Sequence, residues 1–474
     1  MTQGQARAVD RRSFLKTGAG VAGGAMVGTP LVQALTGRMA LAQEDQSVRR
    51  AGIGEGGYGE LQATPDRRDG VERIALPAGF TYRSFGIEGD PMTDGNPTPR
   101  AHDGMGVFDV PNGNVRLVRN HEDRDPAVIS TPIGDPSRAY DARAMGGNTT
   151  LEVAVTSDGD RELVRDFVSL NGTIVNCAGG STPWGSWLSC EETTAGETQG
   201  FEKDHGYNFE IPASANDEVT PVPLKEMGRF VHEAAAIDPR TGIVYETEDR
   251  GTSGFYRFIP NVAGDLAQGG RLQMLAILDK PNYDTRAGQV VGRSLPVVWV
   301  DIDDPDPAAA EINSLAVFEQ GAAQGAATFA RLEGCWYGGG TVFFNATSGG
   351  DSGDGQVWAY RISGRSTGQL RLLFESPDPT VLSGPDNITV SPRGGVLVCE
   401  DGDNEDLFLR GLTRNGKIFD FARNLFNERE WCGATYTSDG ETLYVNVQGD
   451  TRSGGPGNLG YTFAIWGPWE DGAL

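Results

Sequence analysis

The sequence lacks the short motifs that hold nucleotides, organic cofactors or zinc. It contains no P-loop, and neither a GxSxG nucleophile elbow nor a dinucleotide-binding glycine motif occurs in the strand-to-helix context that each requires. HExxH and paired CxxC spacings, the usual signatures of zinc sites, are also missing. We therefore expect no organic cofactor and no zinc site.

Long apolar runs and convincing amphipathic helices are scarce as well. Beyond the N-terminal segment, no run of about 18 apolar residues is long enough to cross a membrane. Helix-like patterns cover only 307–318 and 417–426. The chain has instead 67 glycines and 26 prolines, which suit many short strands joined by tight turns. These features predict an all-β protein.

Cysteine is rare, with five residues among 474, at positions 177, 190, 335, 399 and 432. An odd number leaves at least one thiol outside an internal disulfide in an oxidising compartment. Cys177 and Cys190 open and close one predicted hairpin, so a disulfide between them is one interpretation and two separate thiols is the other. Cys190 is the stronger ligand candidate, because Glu191 and Glu192 follow it directly.

Positive charge is also in short supply. The chain has 40 lysines and arginines against 65 aspartates and glutamates, and its formal net charge is −25. Nucleic acid and anionic membranes are poor partners for such a surface, so we expect neither. Crowded carboxylates repel one another, and bound multivalent cations relieve that repulsion.

The N-terminus has the features of a twin-arginine export signal. Residues 10–16 read DRRSFLK, a weakly apolar Gly/Ala-rich segment runs to about residue 35, and a small-residue cleavage site lies at 40–42. We expect residues 1–42 to be recognised by the twin-arginine machinery and removed. The mature protein is then soluble and periplasmic or secreted, without stable membrane insertion.

Six times along the chain, a short aliphatic or aromatic run ends in a cluster of groups that can bind metals. The six segments read RLVRNHED, SWLSCEET, IVYETEDR, TVFFNATS, GVLVCEDG and TLYVNVQG. In the third copy, a strand-like stretch follows Glu233, a turn follows at 238–242, and a second strand leads to Glu248 and Asp249, which is a hairpin pattern. Six such hairpins around one axis predict a six-bladed β-propeller, with residues 43–474 as a single domain.

Both polar ends of a hairpin lie at the same end, because the chain doubles back at the turn. In a propeller these ends converge on one mouth of the axial channel, where we expect a metal site. His102, His121 and His232 fall at these ends, each beside an acid. Because side chains alternate along a strand, we interpret the acids as ligands and the histidines as packing or supporting residues. Many oxygen donors favour calcium, with ferric ion also possible where a thiolate joins them.

Four segments resemble the PhoX family of exported alkaline phosphatases. They are NHE at 120–122, NCAGGSTPWGSWLSCEE at 176–192, HEAAAIDPRTGIVYETEDRG at 232–251 and SGPDNITVSPRGGVLVCEDG at 383–402. The resemblance covers most of the chain after the signal. It implies hydrolysis of phosphomonoesters by a six-bladed propeller whose axial site holds Fe³⁺ and Ca²⁺, with a cysteine among the iron ligands. The chain is shorter than the well-studied members, and VLVCEDG departs from the ending that longer relatives have in the fifth blade.

By motif, Cys190 matches the iron-binding cysteine of the family. The other predicted metal ligands combine the family pattern with the hairpin ends: Glu122, Glu191, Glu233, Glu248, Asp249, Asp386 and Glu400. Arg250 is our candidate for substrate binding, ahead of Arg119 and Arg124. Multivalent cations can hold a phosphate and activate a bound oxide, hydroxide or water for in-line attack, so no side-chain nucleophile is predicted.

Two other functions are compatible with a propeller. One is a calcium-dependent lactonase-like hydrolase with a single main metal, and the other is a non-enzymatic ligand-binding propeller with structural polar ends, because a fold does not dictate a reaction. A closed propeller needs no partner to cover its edges. We therefore expect a monomer that acts on a small-molecule phosphate ester.

Overall fold

The computed structural model describes residues 56–364 and 366–474, and nearly all of its regular structure is β-strand. The predicted signal at 1–42 and the predicted domain start at 43 lie outside these residues. The strands are β1 Leu61–Pro65, β2 Glu72–Pro77, β3 Thr81–Phe85, β4 His102–Asp109, β5 Val115–His121, β6 Gly146–Val155, β7 Arg161–Thr173, β8 Asn176–Ser181, β9 Ser186–Glu191, β10 Asn208–Pro212, β11 His232–Ile237, β12 Val244–Glu248, β13 Phe255–Pro260, β14 Gly270–Ile277, β15 Ser294–Asp301, β16 Leu332–Gly338, β17 Thr341–Ala346, β18 Gln356–Ile362, β19 Gly368–Glu375, β20 Pro385–Val390, β21 Val396–Glu400, β22 Phe408–Leu412, β23 Ile418–Asn424, β24 Trp431–Tyr436, β25 Leu443–Val447 and β26 Tyr461–Trp466.

Consecutive strands pair antiparallel into units that we call the first to sixth blades. The blades are β4–β7, β8–β10, β11–β14, β16–β19, β20–β23, and β24–β26 with β3. The first strand of each blade contacts the first strand of the next, and β24 of the sixth blade contacts β4 of the first. This closed cycle is the arrangement of a propeller. The predicted all-β propeller is confirmed, and the cycle supports the predicted count of six blades.

Three N-terminal strands complete blades from the other end of the chain. β3 pairs with β26 and becomes the outer strand of the sixth blade, with Phe85 opposite Thr462. β2 pairs with β23 at the edge of the fifth blade, and β1 pairs with β2. Strand β15 joins the outer edges of the third and fourth blades, because it pairs with both β14 and β19. These pairings close the ring and cover sheet edges.

The apolar core lies between the blades. Around the junction of the fifth and sixth blades, Phe421 stacks on Trp469 with ring centroids 5.1 Å apart, and Phe80 meets Trp469 edge-on at 4.8 Å. Alternate residues of each strand supply this packing, because successive side chains point to opposite faces of the sheet. The blades are therefore rigid supports for the residues at their ends.

The two helix predictions have different outcomes. The prediction for 417–426 is wrong, because Ile418–Asn424 forms β23, whose backbone pairs with β22 on one side and β2 on the other. Within 307–318 the structure has a short 3-10 turn at Ala308–Glu311, and an α-helix, α1, follows at Ala316–Ala323. Other 3-10 turns lie at Glu197–Gln199, Lys225–Met227, Leu266–Gln268 and Trp469–Asp471. In the described chain, no helix has both the length and the apolar character needed to span a membrane.

Candidate functional site

The polar ends of each hairpin meet as the sequence predicts. In the first blade His102 pairs with His121, and in the third His232 pairs with Glu248. The other four hairpins have the same pairing at the same end, namely Asn176 with Glu191, Leu332 with Ala346, Pro385 with Glu400, and Trp431 with Val447. The polar ends of all six hairpins therefore surround one mouth of the propeller.

A repeated irregularity sets the direction of the side chains at this mouth. Every first strand has a register shift directly after its first residues, for example between His102 and Met105. Such bulges redirect side chains and are common beside functional sites. In the first five blades, a ligand atom of the second residue of the first strand then lies within 4.8 Å of ligand atoms from a neighbouring blade.

A second repeated feature is a backbone hydrogen bond that closes each hairpin at the mouth. The residue after the second strand donates its N–H to the carbonyl oxygen of the residue before the first strand. The six bonds run from Glu122, Glu192, Asp249, Thr347, Asp401 and Gln448 to Ala101, Val175, Val231, Arg331, Gly384 and Glu430, at 2.8–3.2 Å. Four of these acceptor residues, Ala101, Val175, Arg331 and Gly384, have φ between 48° and 55°, a conformation that β-branched Val175 adopts only under strain.

Together these features place two side chains per blade around the axis, and we call the twelve residues the mouth ring. The second residues of the first strands are Asp103, Cys177, Glu233, Glu333, Asp386 and Cys432. The residues that follow the second strands are Glu122, Glu192, Asp249, Thr347, Asp401 and Gln448. The ring is thus rich in carboxylates and includes two thiols.

The ring residues come close enough to share cations. Four groups have ligand atoms within 4.8 Å of one another: Asp103–Glu122–Cys177, Cys177–Glu192–Glu233, Glu233–Glu333–Asp386 and Asp386–Asp401–Glu430. Each group shares one member with the next, so the donors form a continuous arc. The Cys177 thiol lies 3.7 Å from Asp103 Oδ2, and the Gln448 amide bridges Asp103 and Glu122 at 3.0 and 2.7 Å.

Several ring carboxylates are buried without the partners that a buried charge requires. Both oxygens of Glu233 and Oδ1 of Asp103 lack a hydrogen-bond partner among the described residues, although Glu233 is 0% exposed and Asp103 1%. Burial and neighbouring carboxylates raise the pKa values of Asp103, Glu233 and Glu333, and raise that of Asp386 to about 7. This donor set is suited to multivalent cations, which satisfy such oxygens and remove the repulsion between them.

Two arginines connect ring carboxylates of neighbouring blades. Arg124 pairs with Glu122 of the first blade and Glu192 of the second. Arg331 holds Asp249 through two contacts of 2.9 and 3.0 Å and contacts Glu333 at 2.7 Å. Although burial opposes it, the ion pair with Arg331 lowers the pKa of Asp249. Both arginine side chains remain partly exposed, at 26% and 35%, so they border the open side of the ring.

Four of the eight predicted ligands lie in the mouth ring: Glu122, Glu233, Asp249 and Asp386. Glu191, Glu248 and Glu400, each the last residue of a second strand, point away from it. Glu191 accepts hydrogen bonds from His205 and backbone N–H groups, Glu248 from Gly254 and Tyr256, and Glu400 from Arg410, Ser383 and Phe408. Burial raises the pKa of Glu248 to about 8.

Cys190 and Arg250 also lie outside the ring. Cys190 is fully buried in an apolar cluster with Leu188, Phe230 and Tyr256. Arg250 is exposed, and its guanidinium donates to Ser314 Oγ at 2.6 Å. Cys177, and not Cys190, is therefore the thiol of the second blade that lies in the ring. Arg331 contacts the ring carboxylates, and its backbone N–H donates to the carbonyl oxygen of Arg250 at 2.8 Å.

Sequence reasoning missed six members of the donor arc, Asp103, Cys177, Glu192, Glu333, Asp401 and Glu430, and also Arg331. The signal was present, because in every blade a ring residue directly precedes the strand-like stretch of the first strand, as Glu233 does in the third copy. The sequence does not show which of two adjacent acids at the end of a second strand points toward the axis, because successive side chains point to opposite faces. Glu191 and Glu192 are the same residue type, and they differ only in the direction of the side chain.

The remaining predictions for this region concern histidines and thiols. His102, His121 and His232 are buried, and they bond to the carbonyl oxygens of Pro99, Arg100 and Gly228 at 3.1, 2.9 and 2.9 Å. These bonds are compatible with the interpretation of the three histidines as packing or supporting residues. All five cysteines are free, so the suggested disulfide between Cys177 and Cys190 is wrong.

A small cavity lies on the axis beneath the ring. All six first strands line it, five of them with a glycine or alanine and the fifth blade with Asn387 and Ile388, and its volume is about 10 Å³, room for at most one water molecule. A Cβ on Gly334 would lie 2.6 Å from the Asp386 carbonyl oxygen, and one on Gly433 would lie 2.4 Å from that of Asp103. The first strands therefore pack closely around the axis directly beneath the ring.

Comparison with known proteins gives the family. The family model described as alkaline phosphatase PhoX matches residues 56–450. Pseudomonas fluorescens PhoX, solved in complex with vanadate, a transition state analogue, is 18% identical and has a TM-score of 0.67, with 88% of this chain and 98% of that chain covered. At that identity the similarity shows a shared fold.

A gluconolactonase from Xanthomonas campestris is 10% identical with a TM-score of 0.38, and the alignment covers 86% of this chain and 98% of that one. None of the curated proteins is significantly similar in sequence. The PhoX family model spans most of the described residues, and the solved PhoX structure shares the fold. The chain therefore belongs to the PhoX family of alkaline phosphatases.

Proposed function

We propose that this protein is an exported, metal-dependent phosphatase that hydrolyses phosphomonoesters at the mouth ring. Membership of the PhoX family supports the reaction class. The observation that carries the metal dependence is the arc of overlapping donor groups centred on Glu233, a buried carboxylate with two unpartnered oxygens. Leaving such a charge buried alone costs several kcal/mol, whereas a bound cation turns it into a ligand.

The proposed ligands are the acids of the ring, Asp103, Glu122, Glu192, Glu233, Asp249, Glu333, Asp386 and Asp401, with Glu430 beside them. Carboxylate groups favour Ca²⁺, and Cys177 gives one part of the arc the softer donor that suits Fe³⁺. Burial raises the pKa of the Cys177 thiol, and a coordinated metal removes that proton. Cys177 thus takes the ligand role that the sequence suggested for Cys190.

When bound, the cations would offset the charge of the phosphate and activate water for in-line attack. The chain itself would orient the ester. Arg124 and Arg331 border the open side of the ring with several N–H donors each, and guanidinium groups bind phosphate oxygens in pairs. We propose these two arginines, in place of Arg250, as the substrate-binding residues.

The export route is part of the same proposal. The DRRSFLK segment supports passage through the twin-arginine machinery, with a periplasmic or secreted product. Fusing residues 1–42 to a reporter tests it, because replacement of Arg11 and Arg12 by lysine should abolish export of the reporter. Export that persists in the double variant would refute this part without affecting the reaction.

Chelation tests the reaction directly. Removal of metal from the full chain with EDTA should abolish hydrolysis of an aryl phosphate, and added Ca²⁺ should restore it when iron is retained. A lactone assayed on the same sample tests the lactonase alternative. Phosphate release that survives exhaustive metal removal, shown by elemental analysis, would disprove the proposed role of the ring.

A further inference from the structure

Three buried asparagines connect neighbouring blades directly beneath the mouth ring. Each is the residue before the last in the second strand of its blade: Asn120 in β5, Asn345 in β17 and Asn446 in β25. All three side chains are 0% exposed. Buried amides usually satisfy the backbone of their own strand or loop, whereas these three reach across to the next blade.

The three amide groups donate to the same kind of acceptor, a backbone carbonyl oxygen at the start of the first strand of the next blade. Asn345 Nδ2 donates to the carbonyl oxygen of Asp386 at 2.5 Å, and Asn446 Nδ2 donates to that of Asp103 at 2.6 Å. Asn120 Nδ2 donates to the carbonyl oxygens of Cys177 and Ala178 at 2.8 and 2.7 Å. The acceptor in every case is the backbone of a first-strand ring residue of the following blade.

The residues held in this way are distributed over the whole donor arc. Asp103 and Cys177 belong to the first group, Cys177 to the second, and Asp386 to the third and fourth. Every candidate metal group therefore contains at least one residue whose backbone is fixed from the neighbouring blade. These residues also lie in the bulges, where the regular ladder of hydrogen bonds between strands is interrupted.

The same position in the other three blades is occupied by Cys190, Thr247 and Cys399. Among the residues that the structure describes, Thr247 bonds within its own blade, to the backbone of Ala234 at 3.0 and 3.3 Å. The hydrogen bond from an asparagine side chain to the next blade is thus present in particular blades and is not part of the propeller repeat itself. It occurs where the next blade contributes Asp103, Cys177 or Asp386.

We infer that Asn120, Asn345 and Asn446 are positioning residues, which hold the metal-binding side chains of the next blade at the spacing that cations require. The inference rests on the proposed function, since it assigns these amides a role toward the ions of the ring. Partners that orient ligands from outside the coordination sphere typically change metal affinity by about 10- to 100-fold. Here the orientation acts through the backbone of the ligand.

Asn345 gives the clearest test, because its side chain makes one hydrogen bond, from Nδ2 to the carbonyl oxygen of Asp386. The side-chain oxygen Oδ1 of Asn345 has no hydrogen-bond partner among the described residues. Asn345→Thr introduces the residue that the third blade has at this position, and its hydroxyl is one bond too short to span the gap. Thr389→Val is the matched control, because Thr389 is buried in the same strand as Asp386 and its hydroxyl has no partner within the described chain. Ca²⁺ binding by the EDTA-treated full chain is measured by calorimetry.

We expect Asn345→Thr to bind Ca²⁺ about tenfold more weakly than the parent and to remain folded in the absence of metal, with a thermal midpoint lowered by the loss of one buried hydrogen bond. Thr389→Val should bind like the parent. Saturating Ca²⁺ should return phosphatase kcat of Asn345→Thr toward the parent value, which a general packing defect would not allow. Asn446→Thr, which releases Asp103, should weaken binding similarly and serves as the second variant.

Affinities of both folded variants within twofold of the parent would overturn the inference while leaving the proposed function intact. Failure of both variants to fold beside a folded control would also overturn it, because the amides would then serve stability alone. A parent protein that binds no Ca²⁺ and releases no phosphate would instead refute the proposed function, and the inference with it. The parent measurement therefore separates the two failures.

Discussion

Glu233 shows how single residues make the mouth ring a site for cations. Its carboxylate is fully buried beside Cys177, Glu192 and Glu333, and neither oxygen has a hydrogen-bond partner among the described residues. A buried carboxylate must be paired, protonated or bound to a metal, because its isolated charge is too costly. The same reasoning applies to Oδ1 of Asp103. Asp386 has a hydrogen bond from Asn387, but burial and Asp401 raise its pKa to about 7, so neighbouring carboxylates share the need for cations.

The two cysteines of the second blade provide a prediction at this scale. Cys177→Ser should lower bound iron by about tenfold or more, because the thiol lies in two donor groups. Cys190→Ala should keep its iron and lose about 1 kcal/mol of stability, because Cys190 packs in an apolar cluster. Elemental analysis and urea unfolding of both variants check this. Loss of iron from Cys190→Ala alone would restore the assignment made from sequence.

The arginines provide a second prediction. Arg331→Gln should raise KM for an aryl phosphate by about tenfold, because a charged hydrogen bond to phosphate is worth about 1.5–3 kcal/mol. Arg286→Gln is the control, because Arg286 forms an exposed ion pair with Asp284. Arg250→Gln should raise KM less than Arg331→Gln does. An equal or larger effect at Arg250 would contradict the placement of the substrate.

Residue identity at the ring was only partly predictable from the sequence. Glu122, Glu233, Asp249 and Asp386 could be assigned, because they flank clear strand patterns. Glu192 and Asp401 were missed in favour of Glu191 and Glu400, since a shift of one residue reverses the face of a strand. Cys190 was favoured over Cys177 by the acids that follow it, whereas the bulge after Asn176 determines which thiol reaches the axis.

At the scale of elements, the hairpin is the unit that builds the site. Each hairpin contributes one ring residue from a bulge and one from the end of its second strand, and a backbone hydrogen bond joins the two ends. The six copies were recognisable from the sequence because turn residues and strand patterns recur. The bulges and the pairing of the N-terminal strands β1–β3 with the two C-terminal blades were not recognisable, because they depend on contacts distant in sequence. The strand at 418–424 was mistaken for a helix for the same reason.

The long loops after the second strands are joined by a buried ion pair, which predicts a pH effect. His205 contacts Glu191 at 2.6 Å and Asp141 at 3.5 Å, and although burial opposes it, these acids raise its pKa to about 9. A raised pKa in the folded state means that the stabilisation is complete below the unfolded value near 6.5 and is lost as the pH rises through about 9.

The corresponding measurement is urea unfolding of the parent and His205→Gln from pH 6 to 10 at constant Ca²⁺. The advantage of the parent should shrink by up to about 3 kcal/mol over this range. The variant lacks the titrating group and is the control for all other ionisations. Parallel curves for the two proteins would show that His205 is not charged in the fold.

At the scale of the whole molecule, the closed propeller is the frame that carries the mouth ring. N-terminal strands complete the fifth and sixth blades, and the six first strands pack closely around a cavity of about 10 Å³ beneath the ring. The formal charge of −25 would disfavour phosphate esters at a bare surface, but fields at the mouth depend mainly on bound cations. The acidic surface alone would therefore repel a phosphate ester, and binding of the ester at the ring depends on bound cations.

One measurement tests the central claim most directly: elemental analysis of the full chain, expressed with its export signal, on the sample that is assayed with an aryl phosphate. We predict that iron and calcium are both bound and that phosphate is released. A fully active protein without metal would contradict the account. Calcium alone, with no phosphate release, would also contradict it, and would leave Cys177 as an ordinary buried thiol.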